Sequence, residues 1–212
     1  MALDYLRDPA EIYRRSFATI RAEAGFDALP EGLRPLALRV AHACGMTDVV
    51  GALRASPDAA DSGRHALEAG AALLCDSRMV AGGVQRAKLP RSNPVIVTTD
   101  AESAATRARR EGTTRAAGGI AAFRDSLAGA VVAIGNAPTA LFRLLEEIDS
   151  GAPRPALILA FPVGFVGAVE AKDELLRDSR GVAYVTLPGR RGGSAMAAAA
   201  VNALLGNDED SP

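Results

Sequence analysis

Five short apolar runs set the plan of this chain: Ala71 to Cys75, Val95 to Thr98, Ala130 to Ile134, Ala156 to Ala160 and Val182 to Leu187. None alternates cleanly between apolar and polar residues, which is how strands buried on both faces read. Each is followed by a polar or glycine-rich turn and then by a stretch with helical spacing. A mostly parallel sheet with helices on both faces satisfies that succession. The expected fold is therefore α/β and doubly wound, with a mostly parallel five-stranded sheet and additional N-terminal helices. The hydrophobic share of 49%, largely alanine and with only 4% aromatics, suits helices packed closely on such a sheet. At 212 residues one domain is expected, over 1–206, followed by an acidic tail, 207–212, expected to be disordered.

Ahead of the first run, Asp8-Pro9-Ala10-Glu11 announces a helix: an N-cap acceptor, a proline at the first helical position and a glutamate three residues after the cap. Its apolar stripe is Tyr13, Phe17, Ile20 and Ala24, with Arg14, Arg15 and Ser16 beside it and Gly25 closing it. Pro30 and Pro35 bracket the entry to a second helix. There Leu33, Leu36, Ala37, Val40, Ala41 and Cys44 make one apolar stripe. His42 falls on the opposite side, and Arg39, one turn earlier, shares that side. Gly45 is placed to end the helix as a left-handed cap. His42 is either a solvated surface histidine or an imidazole available for proton transfer near neutrality.

Doubly wound sheets bind ligands at the carboxyl ends of their strands, so the turns after the runs carry the functional information. Gly189-Arg190-Arg191-Gly192-Gly193-Ser194 ends a strand and opens a helix, which offers backbone N–H groups and two guanidinium groups to an anion, or is simply a glycine turn with surface arginines. Gly135-Asn136-Ala137-Pro138-Thr139 has the same design, with Asn136 and Thr139 able to bond a ligand. Asp76 fits the N-cap of the helix carrying Met79. Thr99-Asp100-Ala101-Glu102 reads as a capping box, and Thr113-Thr114-Arg115 follows a helix stop at Gly112.

Several classes of function fit poorly. With 24 basic and 25 acidic residues there is no broad electrostatic footprint for nucleic acid or an acidic membrane. Cys44 and Cys75 lack the spacing of a disulfide framework or a zinc site, and no metal is expected. Phosphate-loop, dinucleotide and nucleophile-elbow motifs are missing. The longest low-polarity run, Ala195 to Leu205, is too short to span a bilayer, and no signal-peptide pattern precedes it. A cytoplasmic protein with a polyanionic ligand, one plausible proton donor and several arginines near strand ends is the expectation.

Five blocks in order, Tyr13-Arg14-Arg15-Ser16-Phe17, Arg39-Val40-Ala41-His42-Ala43-Cys44-Gly45, Gly135 to Leu141, Pro162-Val163-Gly164-Phe165-Val166 and Gly189 to Met196, resemble the precorrin-8X methylmutase family of cobalamin biosynthesis. The resemblance runs from near Tyr5 to about Leu205. It implies a three-layer α/β/α fold, a homodimer, and an isomerase that needs no cofactor. It further implies the conversion of precorrin-8X to hydrogenobyrinate by a 1,5-sigmatropic shift of a methyl group from C-11 to C-12. The family's catalytic histidine falls on His42, whose implied role is to protonate the ring C nitrogen, and its substrate contacts fall on Ser16 and Arg39. Arg15, Arg115, Arg190 and Arg191 are then expected to hold the substrate's carboxylates, with Asn136, Thr139 and Ser194 as further contacts and possible handover of product to the next pathway enzyme. Glu170-Ala171-Lys172 departs from the family's commoner Glu-Ser-Lys. Two alternatives stay open: a cobalt-precorrin-8 methylmutase of the anaerobic route, and a non-catalytic tetrapyrrole carrier.

Overall fold

The computed structural model describes residues 3–27 and 29–206, so the acidic tail at 207–212 lies outside the described residues. Its helices are α1 (Pro9–Glu23), α2 (Arg34–Cys44), α3 (Val49–Ala52), α4 (Ala59–Glu68), α5 (Arg78–Gly83), α6 (Glu102–Glu111), α7 (Arg115–Ala122), α8 (Pro138–Asp149), α9 (Ala168–Arg177) and α10 (Ser194–Leu204). The strands are β1 (Arg54–Ala55), β2 (Leu73–Cys75), β3 (Val95–Val97), β4 (Val131–Ile134), β5 (Leu157–Ala160) and β6 (Ala183–Thr186).

The sheet runs β1-β6-β5-β4-β2-β3, with every pairing parallel except β1 with β6. All five expected strands form, and the sheet has six strands where five were expected. The sixth, Arg54–Ala55, carries no apolar run: it is two residues of edge, held antiparallel to β6 at Thr186 and Val185. Its pairing depends on where the α3–β1 loop lands, which local spacing does not encode.

Two cores lie on the two faces of the sheet. Val131, Ala133, Leu157 and Leu159 point into one, together with α1, α2, α4 and α10. Val132, Ile134, Ile158 and Ala160 point into the other, with α7, α8 and α9. Successive strand residues alternate between two apolar layers, and the sequence accordingly shows an unbroken apolar run. The chain goes from β2 outward to β3, then crosses back to β4 on the other side of β2. The carboxyl ends of β2 and β4 therefore flank the switch point of the sheet.

The N-terminal helices form as their caps dictate. Asp8 caps α1, its carboxylate accepting from the Ala10 amide at 3.0 Å. Ala24, in extended conformation, ends α1 one residue before the expected Gly25. Gly45 ends α2 in the left-handed region at φ 67°. The capping box expected at Thr99 to Glu102 is not made. Residues 98–100 form a 3-10 turn, and the Thr99 hydroxyl donates to the Asp76 carbonyl at 3.4 Å instead.

Candidate active site

The last turn of α2 presents His42 to one face of α1. Tyr13, Ser16 and Phe17 share that face because they are spaced i, i+3 and i+4. Tyr13 stacks on the imidazole, with ring centroids 5.2 Å apart and planes 30° apart, and Phe17 meets it edge-on at 5.1 Å. The Ser16 hydroxyl lies 2.8 Å from Nδ1. The serine donates to a neutral ring or accepts from an imidazolium, so in either state Nδ1 is engaged. Nε2 has no protein partner among the described residues, and it is the atom free to meet a ligand.

Partial burial lowers the His42 pKa below its ordinary 6.5, and the nearby Arg39 charge lowers it further. Arg39 is 9% exposed, more deeply placed than its expected position on the outer side of α2. The helix is enclosed on several sides, since α10 packs along it while α1 lies across its polar face. A helical wheel for α2 cannot show a neighbour that arrives from another part of the chain.

A second assembly occupies the carboxyl ends of the strands. Asp76, 1% exposed, takes three amide donors from the turn after β4: Gly135 at 3.0 Å, Asn136 at 2.9 Å and Ala137 at 2.7 Å. The expected N-cap role falls instead to the next residue: Ser77 Oγ accepts from the Val80 amide at 3.3 Å. Burial pushes the Asp76 carboxyl above the ordinary aspartate range, and the three amides and Ser77 oppose that rise. Where the sheet switches direction, the nest of N–H groups is thus filled by the protein's own carboxylate. A Cβ on Gly135 would sit 2.7 Å from Ser194 Cα, so glycine there lets the start of α10 close over the crevice. Ser194 also lies 3.3 Å from Ser77, hydroxyl to hydroxyl.

The turns after β4, β5 and β6 are joined along one edge. The Val163 amide donates to the Asn136 carbonyl at 3.4 Å, Gly164 to Arg190 at 3.2 Å and Gly193 to Phe161 at 2.8 Å. At the other end of this rim, Arg191 pairs with Asp48 at 2.5 Å, which ties it to the loop following His42's helix. Arg190 lies over the exposed Phe165 ring at 5.3 Å. Thr139 meets Thr114 at 2.7 Å, hydroxyl to hydroxyl, which brings Arg115 at the start of α7 beside the Asn136 turn.

The precorrin-8X methylmutase family model matches residues 11–207, nearly the whole described chain. The chain belongs to the precorrin-8X methylmutase family. It is 61% identical over 202 residues to the precorrin-8X methylmutase of Pseudomonas aeruginosa, covering 95% of this chain and 97% of that one. With the cobalt-precorrin-8 methylmutase of Priestia megaterium it shares 34% over 200 residues, covering 92% and 87% respectively. A crystal structure of the Thermus thermophilus precorrin-8X methylmutase superposes with a TM-score of 0.83 at 37% identity, over 92% of this chain and 94% of that one. The chain is an isomerase of this methylmutase family.

Within that methylmutase fold, three of the residues singled out in the sequence come together at one point: His42, Ser16 and Arg39. Arg190, Arg191, Ser194, Asn136, Thr139 and Arg115 spread along the rim, and Arg15 pairs with Glu11 on the exposed side of α1. Tyr13, Phe17, Asp76 and Asp48 were not singled out as site residues. Tyr13 and Phe17 carried a usable signal, since they flank Ser16 at helical spacing. Asp76 and Asp48 engage partners 59 and 143 residues away, and nothing local marks them. Cys44 is half-buried with Sγ 3.5 Å from the Ala41 carbonyl, and burial raises its pKa, which suits packing and not attack. Among the described residues no three His, Cys, Asp or Glu side chains converge as metal ligands would, and no helix is long and apolar enough to cross a membrane.

Proposed function

We propose that this protein converts precorrin-8X to hydrogenobyrinate by a 1,5-sigmatropic shift of the methyl group from C-11 to C-12. The observation that carries the reading is the His42 cluster: an imidazole with one nitrogen held by Ser16 and the other open to a ligand. In this reading protonated Nε2 delivers its proton to the ring C nitrogen. The protonated ring draws electron density from the migrating system, and the proton returns as the conjugated product forms. Acid–base catalysis of this kind needs a group that titrates near the working pH. No other group is required to make or break a covalent bond with the substrate, and no cofactor takes part.

Ser16 and Arg39 contact the substrate next to His42. Arg15, Arg115, Arg190 and Arg191 hold its peripheral carboxylates through paired hydrogen bonds, and Asn136, Thr139 and Ser194 complete the rim. Fixing many carboxylates at once holds the macrocycle in a reactive conformation. The nearer match to the Pseudomonas protein than to the Priestia one supports the cobalt-free substrate. Residues 1–206 act as one domain. Ile12 and Tyr13, large apolar side chains exposed on the helix that covers His42, support a homodimer. In this reading the dimer is cytoplasmic and passes its product to the next enzyme. Sedimentation at micromolar protein concentration tests the dimer, and a monomer there would count against it.

Two expected results follow from the proton transfer. The acid form of His42 is the active one and its pKa lies below 6.5. kcat/KM, which reports the free enzyme, therefore falls as pH rises through that pKa. The limb in kcat lies at higher pH, because bound carboxylates favour the imidazolium. A kcat/KM that rises with pH over the same range would contradict the assignment. For Ser16→Ala, loss of a hydrogen bond to the charged ring predicts a kcat lower by about ten-fold. Stopped-flow spectrophotometry of precorrin-8X turnover measures it, and an unchanged kcat would remove Ser16 from the account.

A further inference from the structure

We propose that Lys172 is a positioning residue that sets the Arg190–Arg191 loop for carboxylate binding; the inference rests on the reading that these arginines hold substrate carboxylates. Lys172 lies on α9, 0% exposed, and its Nζ donates to the Arg191 carbonyl at 2.8 Å. The same loop is fixed from two further directions. Gly164 N–H donates to the Arg190 carbonyl, and Gly193 N–H to that of Phe161. Between them Gly192 is pressed onto the end of β5, where a Cβ would come within 2.4 Å of the Phe161 carbonyl oxygen. With its backbone pinned at residues 190, 191 and 193, the loop has its two guanidinium groups directed away from the core, one over Phe165 and one to Asp48.

Stability does not call for a lysine here. Burying an ammonium against a carbonyl is costly, and an apolar side chain of the same length would remove that cost while leaving the Arg191 carbonyl without its donor, so the two effects oppose each other. The cost is visible in the amine itself: burial pulls its pKa down to about 8, with Asp173 opposing and Arg191 assisting. Both protonation states keep N–H donors, so the hold on the Arg191 carbonyl does not depend on the charge. What a methionine could not supply is that hydrogen bond, and with it the placement of Arg190 and Arg191.

The test compares wild-type protein, Lys172→Met and Lys172→Gln in three measurements: melting temperature, anaerobic turnover of precorrin-8X, and spectrophotometric titration with hydrogenobyrinate. Lys172→Met is expected to melt close to the wild-type temperature and to keep kcat within about two-fold, while KM and the hydrogenobyrinate Kd rise about ten-fold. Lys172→Gln, which retains a donor, should recover most of that loss. An unchanged KM and Kd in the methionine variant would overturn the inference. So would losses that track a lower melting temperature in both variants, since those would be purely structural. Failure of the wild type to turn over precorrin-8X would instead sink the functional reading, and the titration alone would then decide the role of Lys172.

Discussion

Replacing His42 with alanine is expected to lower kcat about a thousand-fold while leaving the hydrogenobyrinate Kd within about three-fold. The imidazole can both give and recover a proton near neutrality. Removing it takes away the donor of the proton that, once on the ring C nitrogen, draws electrons from the migrating system. The proposed carboxylate holders, Arg115, Arg190 and Arg191 on the rim and Arg15 on α1, all remain in the variant, so binding should survive. Tyr13 and Phe17 lose a ring contact, and a modest drop in stability is expected from the space left between α1 and α2. The variant must therefore be assayed well below its melting temperature. A kcat within ten-fold of wild type would remove His42 from the mechanism.

Asp76→Asn should cost about 3 kcal/mol of folding stability, a fall in melting temperature of about 6–12 °C. The carboxylate receives the Gly135 amide on Oδ1 and those of Asn136 and Ala137 on Oδ2. An asparagine has the same shape but only one acceptor oxygen. Whichever way it is turned, its NH2 faces at least one backbone N–H, so at least one buried donor is left without an acceptor. The damage falls on the switch point of the sheet, and the turn carrying Asn136 and Thr139 should loosen with it. Calorimetry, together with hydrogen exchange at Gly135, Asn136 and Ala137, reads both effects. A variant melting within about 1 °C of wild type would show that these amides do not need a carboxylate.

The parts of this molecule that were legible in its sequence are those governed by local spacing. The five runs became β2 to β6 because a strand packed between two helical layers is mostly apolar on both faces; Thr186 in β6 is polar, and β3, at the edge, is only partly buried. Asp8 and Gly45 cap their helices as expected because a cap is chosen within a few residues of the chain. Contacts between distant segments were not legible. Asp76 and Ser77 both suit an N-cap, and what separates them is the turn some sixty residues later that claims the aspartate. His42 was placed correctly off the apolar stripe of α2. Which helix would cover it was not encoded there, so its partial burial beneath Tyr13 and the depth of Arg39 came only with the fold. The two residues of β1 pair by position alone.

The central claim is that this chain moves a methyl group from C-11 to C-12 of its substrate. Precorrin-8X bearing a carbon-13 label in the C-11 methyl, incubated anaerobically with wild-type protein, addresses it directly. The account predicts that the visible spectrum changes to that of hydrogenobyrinate and that the labelled resonance appears on C-12. A pigment that binds at stoichiometric protein yet keeps its spectrum and its label at C-11 would contradict it and identify a carrier.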